Sequence, residues 1–261
     1  MEVELKKLNN VLVPTPHGLM LVNRNEASFA FGTGVALLEE GGYDPREIGL
    51  MREIVEVLPP ECVVLDVGAN IGVHTLEFAR ACESKRGIVH TFEPQRILFQ
   101  MLAGNVAMNN FQNVHCHLAA VGAQQGKLKV PRIDYSIPSS FSGIEFGNGQ
   151  QKEFIGQAPQ WDAAEETVPI ITLDSLNLPR VDFMKIDVEG MEIDVLRGAS
   201  KIIDTFRPPI YIEYGKNDPL MLAKAIWDFG YDIFVFSALD WIATPKEDSV
   251  VQIAGLTKLM P

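Results

Sequence analysis

The chain has 261 residues, 47% of them hydrophobic, enough to bury one sizeable core and to favour a single large α/β domain. A formal net charge of −12, with no Lys/Arg run to neutralise consecutive phosphates, argues against nucleic acid as a partner. No stretch of about 18 apolar residues and no apolar leader core is present, so neither a membrane span nor a signal peptide is expected. Cys62, Cys82 and Cys116 lack C-x-x-C spacing and read as free, buried thiols of a cytoplasmic protein rather than as a disulfide or zinc framework.

Residues 10–24 (NVLVPTPHGLMLVNR) place two β-prone runs around a His-Gly turn. Residues 1–44 are thus expected to form an N-terminal extension with a β-hairpin, ahead of a domain over 45–261. From Pro45 the pattern becomes periodic: 46–58 reads as an amphipathic helix, 62–67 (CVVLDV) as a buried strand, 72–82 as a helix and 88–93 (IVHTFE) as a strand. Helix 95–110 and strand 113–121 follow. The alternation breaks over 131–168, a stretch rich in Gly, Ser, Pro and Gln that reads as either a lid or a disordered insertion. It resumes with strand 181–188, helix 190–206, strand 209–215, helix 218–230 and strand 231–237, and 250–259 can supply a closing strand. Such order implies a mostly parallel sheet with helices on both faces.

The most informative stretch is VVLDVGANIGVHTLEFAR, residues 63–80. An apolar strand ends at Asp66, and Gly68, Asn70 and Gly72 precede a helix. Small residues let backbone approach a ligand, and the helix start offers free N–H groups. Some twenty residues after Gly72, Glu93 closes the next strand, where a carboxylate accepts hydrogen bonds from ribose hydroxyls. A dinucleotide turn would read G-x-G-x-x-G; here Asn70 stands in the middle and His74 follows where the last Gly should pack, which disfavours an NAD-dependent oxidoreductase. Asp66 would repel phosphate and favour a cationic ligand. S-adenosylmethionine fits, because it has no phosphate and carries an ammonium and a sulfonium.

A second block, VDFMKIDVEGMEIDVLRGA at 181–199, is an apolar strand ending in charge. Lys185, Asp187 and Glu189 alternate onto one side, at the strand end where open α/β sheets bind ligands. The next strand also ends in a carboxylate, Glu213. The plainer alternative has Asp187 or Glu189 capping the following helix and Glu192 pairing with a cation.

Together, LDVGANIGVHT, HTFEPQ, ITLDSL and VDFMKIDVEGMEIDVLRGA, in this order, resemble the FkbM-type family of S-adenosylmethionine-dependent methyltransferases over about residues 50–215. The resemblance implies a Rossmann-like class I methyltransferase fold, with a seven-stranded sheet whose last strand is antiparallel, and O-methylation of a hydroxyl on a small metabolite or saccharide. It implies that Asp66, Gly68, Ala69, Asn70 and Gly72 surround the methionine part, Glu93 binds ribose, and Ala119 or Ala120 lies near adenine. Substrate choice is then expected in the hairpin and in 131–168.

Methyl transfer to a hydroxyl needs in-line alignment and a base for the acceptor proton. Glu189 and Glu213 are the candidate bases, with Asp187 supporting them; His74 is a rival. Asp187 and Glu213 offer hard oxygen ligands, yet metal-assisted catechol-type enzymes usually carry Asp-Asn where this chain has Glu213-Tyr214, and no metal is expected. His115 and His117 share a strand face without a third ligand in view. Trp161 either stacks on an acceptor ring or anchors its loop. Amino-directed nucleic acid enzymes and cytosine-C5 enzymes are disfavoured, because "IDVEG" replaces their Pro-Pro-aromatic block and no Cys follows a Pro. A non-catalytic protein with the same fold is the remaining alternative.

Overall fold

The computed structural model describes residues 8–26, 32–146, 151–163, 166–247, 249, 251 and 253–260. The described chain opens with an antiparallel hairpin, β1 (Asn10–Thr15) and β2 (Gly18–Asn23), and a short turn of helix, α1 (Thr33–Val35). Helix α2 (Pro45–Val57) starts where Asp44 accepts the backbone N–H groups of Arg46 and Glu47, with Pro45 supplying a preset φ. Then come β3 (Val63–Val67), α3 (Val73–Glu83), β4 (Ile88–Phe92), α4 (Arg96–Met108), β5 (Val114–His117), β6 (Ala120–Val121), β7 (Gly126–Val130) and β8 (Glu166–Ile171). The remainder is β9 (Phe183–Ile186), α5 (Glu192–Gly198), α6 (Ser200–Phe206), β10 (Ile210–Glu213), α7 (Pro219–Asp228), β11 (Tyr231–Val235), β12 (Asp240–Pro245) and β13 (Thr257–Leu259).

The main sheet has the order β5-β4-β3-β9-β10-β12-β11-β13. Strands β5 through β10 pair in parallel, and β12 enters antiparallel between β10 and β11. This is the expected class I methyltransferase sheet plus an eighth strand. The run at 250–259 does yield a strand, Thr257–Leu259, but at the outer edge beside β11. The inserted antiparallel strand is DWIATP at 240–245, which the sequence pattern did not single out. Strands β3 and β9 are buried at every position, because helices cover both their faces.

Two expected elements, one helix and one strand, are divided by tertiary contacts. The single helix expected over 190–206 is broken at Ala199 into α5 and α6, and α6 is started by the Asp174 carboxylate, which accepts from the backbone N–H groups of Lys201 and Ile202. The strand expected over 113–121 divides into β5 and β6, and β6 leaves the main sheet to pair with β8 in a three-stranded sheet.

One face of the main sheet carries α5, α6 and α7 over Leu65, Met184, Ile212 and their neighbours; the other carries α2 and α3 over Val64, Val89 and Phe183. A further core joins the hairpin to the glycine turn: Met20 and Val22 pack with Ile71, Leu98 and Leu102. Asn105 of α4 ties this joint, its Oδ1 accepting from Leu21 N–H at 2.6 Å and its Nδ2 donating to Ile71 carbonyl at 2.8 Å.

At the β5 edge, His90, His115 and His117 stack on one face. Burial and the two neighbouring imidazoles push His90 down to about 4, so it is neutral at neutral pH.

Candidate active site

The cavity lies at the carboxyl ends of β3, β4, β9 and β10, where the parallel strands give way to loops. One wall is the glycine turn. Gly68 has φ 82°, and a Cβ there would lie 1.7 Å from the Asp187 carbonyl oxygen, so the two loops cross at a point only glycine can occupy. Asn70 follows at φ 51°, a left-handed position that Asn tolerates. Gly68, Ala69 and Asn70 line the cavity. Gly72 does not; at φ 93° it starts α3, and a Cβ there would meet Leu102 Cδ1 at 2.6 Å.

Glu93 reaches the cavity from the end of β4. Its two oxygens accept from the backbone N–H of Asn70 at 3.0 Å and of Gln95 at 2.8 Å. Burial pushes its carboxyl up to about 8, against these two hydrogen bonds. Ala119 and Ala120 form the wall beyond Glu93, with Phe92 beside them.

Asp66 is placed differently from its expected role. It is fully buried beneath the turn, accepts from the Thr75 hydroxyl at 2.5 Å and lies 3.7 Å from Lys185 Nζ, so its charge is neutralised inside the core rather than presented to a ligand. Lys185, placed by the sequence on the same strand side as Asp187 and Glu189, is the hub of this region. Its Nζ donates to Gly68 carbonyl at 2.8 Å and lies 3.1 Å from Asp187 Oδ2. Burial opposes its charge, but Asp187 and Asp66 outweigh that and raise its pKa.

The opposite rim holds Asp187, Glu189 and Glu213, each offering an oxygen within 4.8 Å of the others. Burial works against the Asp187 carboxylate, yet Lys185 keeps it below its usual range. Burial and then the Asp187 charge push Glu189 up to about 8 and Glu213 up to about 10. Three carboxylates this close cannot all ionise at neutral pH, so Asp187 carries the charge while its neighbours hold protons. One buried oxygen each of Glu189 and Glu213 has no hydrogen-bond partner. Glu189 also sits at φ 54°, a costly conformation for a glutamate, with Lys216 Nζ 3.9 Å from its Oε2. Neither Asp187 nor Glu189 caps α5, which has no side-chain cap; Glu192, its first residue, instead ties down the preceding loop by accepting from the N–H groups of Val188 and Gly190.

Residues from the aperiodic parts complete the walls: Thr33, Tyr43, Ser142 and Phe146. The 131–168 stretch is fastened down in its described part. Gln95 Nε2 donates to Phe141 carbonyl at 2.8 Å, Tyr135 hydroxyl donates to Gln95 Oε1 at 3.1 Å, and Lys216 pairs with Glu153. Trp161 packs edge-to-face on Phe146, with ring centroids 6.3 Å apart. His74 lines the cavity with Nε2 3.0 Å from Glu47 Oε1. Glu26, missed in the sequence, is 1% exposed beside Asn70, with both oxygens unpartnered; burial pushes it up to about 7.

A glycine turn between a buried strand and a helix, an acid closing the neighbouring strand, and this sheet order define a Rossmann-like class I methyltransferase. Residues 66–233 match the Methyltransferase FkbM domain, and the chain belongs to that family. Methyltransferase 1 of Beauveria bassiana is 29% identical over 153 residues, which is 55% of this chain and 61% of that protein, so the chain spans less than two thirds of that relative's length. Hexuronic acid methyltransferase AglP of Haloferax volcanii is 24% identical over 186 residues, 69% of this chain and 67% of that protein. Among solved structures, methyltransferase FkbM from Methylobacillus flagellatus aligns with TM-score 0.49 and 18% identity, covering 71% of this chain and 43% of the other. No described helix is long and apolar enough to cross a membrane.

Proposed function

We propose that the protein transfers a methyl group from S-adenosylmethionine to a hydroxyl of a small metabolite or saccharide. The observation that carries this reading is the carboxylate trio at one end of a cavity whose other end is a glycine turn faced by Glu93. The residues fit the cofactor. The N–H groups at the turn and the helix start suit its amino acid end, the Glu93 carboxylate suits ribose hydroxyls, and the small Ala119 and Ala120 leave room for a flat base. Bound there, the cofactor supplies an electrophilic methyl on a cationic sulfur.

This chain's own part is alignment and proton removal. Asp187, held ionised by Lys185, keeps negative charge at the rim. Positive charge arriving in the cavity lowers the pKa of Glu189 and Glu213. Glu189, projected by its left-handed backbone and with no hydrogen bond on Oε2, then releases its own proton to solvent and accepts the acceptor's proton, and Glu213 shares charge with Asp187. Residues 131–168 act as the acceptor-selecting lid of a domain spanning 45–261, and the three free thiols suit the cytoplasm. The relative named as a hexuronic acid methyltransferase supports a saccharide acceptor.

The 4.8 Å spacing of the trio favours a second reading, in which a divalent cation held by Asp187, Glu189 and Glu213 activates the acceptor hydroxyl.

The test is calorimetric titration with S-adenosylhomocysteine and, separately, NADH, followed by turnover with an alcohol, sugar and uronic acid panel. Product-form cofactor binding weakened by Glu93→Ala, with homocysteine-product release on some hydroxyl acceptor, supports the proposal. NADH binding alone sinks it. Turnover abolished by a chelator and restored by Mg2+ selects the metal reading.

A further inference from the structure

We propose that His90, His115 and His117 form a binding site for a transition-metal cation of the zinc type, on the β5 edge of the sheet and outside the cavity. His115 and His117 are two apart on β5 and so share one face. The parallel pairing of β4 with β5 sets His90 directly opposite His115, and Phe92 opposite His117. The third imidazole missing from the sequence pattern is therefore supplied by the neighbouring strand.

The ring geometry brings two of the three ligand atoms together. His90 Nδ1 lies 3.1 Å from His117 Nε2. Two nitrogens bound to one tetrahedral zinc at its usual bond length stand roughly 3.3–3.4 Å apart, so this pair needs to open only a few tenths of an ångström. His115 is stacked on His90 at 4.9 Å between centroids and is exposed, free to turn about its side-chain bonds and complete a three-imidazole set. Phe92 stacks on His117 at 4.7 Å and holds that ring from behind.

The surroundings suit an ion. Strand β5 ends the sheet, so the cation has a path in from solvent, and water can fill the fourth position. Imidazole donors select zinc, nickel and copper over magnesium and calcium. Cys116 points to the opposite face, against the core formed around Leu98 and Leu102, and takes no part.

The experiment uses the full chain stripped with a chelator, titrated calorimetrically with ZnCl2, with Co2+ absorption as a second readout. His90→Phe and His117→Phe keep the aromatic stack and so the fold, while Glu213→Gln reports on the acidic trio. The expected result is one zinc per chain, an affinity reduced about tenfold or more in each His→Phe variant, a smaller loss in His115→Ala, and no change in Glu213→Gln. Zinc bound equally well by both His→Phe variants, zinc lost in Glu213→Gln, or no saturable zinc binding by the unsubstituted chain would each overturn the proposal. Undiminished folding of the His→Phe variants is checked by circular dichroism in the same buffer. Should either fail to fold, zinc-dependent protection of His90 and His117 from diethyl pyrocarbonate in the unsubstituted chain decides, protection supporting the site and its absence overturning it.

Discussion

At the glycine-turn end of the cavity both Glu93 oxygens accept backbone hydrogen bonds, whereas at the β9–β10 rim Glu189 and Glu213 each leave a buried oxygen without a partner. The Glu93 contacts at the first end are made before any ligand arrives. The rim is held out of balance, with three acids close together, Lys185 beside Asp187 and Lys216 near Glu189, and further positive charge entering the cavity relaxes it. Such asymmetry separates binding from chemistry: geometry is fixed at one end, and reactivity is conditional at the other.

The largest effect is expected where the two ends touch. Gly68→Ala puts a Cβ into the Asp187 carbonyl at a left-handed φ, and should destabilise the fold by more than about 4 kcal/mol in urea unfolding. A near-neutral result would mean the loops can part. Next comes Lys185→Met, which strands the buried Asp66 and should cost about 3–5 kcal/mol, read from the same denaturation curves. Glu189→Gln tests the reactive end alone: turnover should fall about 10²- to 10⁴-fold with S-adenosylhomocysteine affinity unchanged. Glu93→Gln tests the other end, weakening that affinity about 10- to 100-fold, and a loss of turnover without a loss of binding would erase the contrast.

A smaller effect follows from pH. Unfolded glutamate releases its proton near 4.5, while folded Glu189 keeps it to about 8 and Glu213 to about 10. The folded state thus binds more protons over that window, and stability falls as pH rises through it. Glu213→Gln should flatten the decline, leaving Tm close to that of the parent at pH 5 and above it at pH 9. A parallel pair of Tm curves would show that the rim is not strained by its charges.

Most of the sheet was legible because β3, β9 and β10 are apolar runs that end in charge, a pattern local enough to read. Strand β12 was not, since DWIATP opens on Asp240, carries Thr244 near its end and finishes in Pro245. Its place between β10 and β11 is set by pairing on both sides. The break at Ala199 also escaped; beside it Gly198 lies close against the Gly122 carbonyl, and Asp174 starts α6, both contacts with distant segments. At the site, residue types at strand ends pointed to Glu93, Asp187, Glu189 and Glu213, all of which line the cavity. Lys185 was seen as a face, not as a hub, because its partner is the Gly68 backbone carbonyl, which no residue type announces. Asp66 was assigned outward on charge alone, while burial and Lys185 turn it inward. Thr33, Tyr43 and Phe146 come from segments whose positions depend on what they fold over.

The clamp between the hairpin and α4 bears on how the protein is made. Leu21 is bound by Asn105, a residue 84 positions later. At a synthesis rate of about 5–20 residues per second, the hairpin is polymerised about 4 to 17 s before its anchor. Its apolar residues Met20 and Val22, fully buried in the finished protein, are exposed throughout that interval. The nascent chain therefore passes through a stage in which the apolar side of the hairpin is made but not yet anchored.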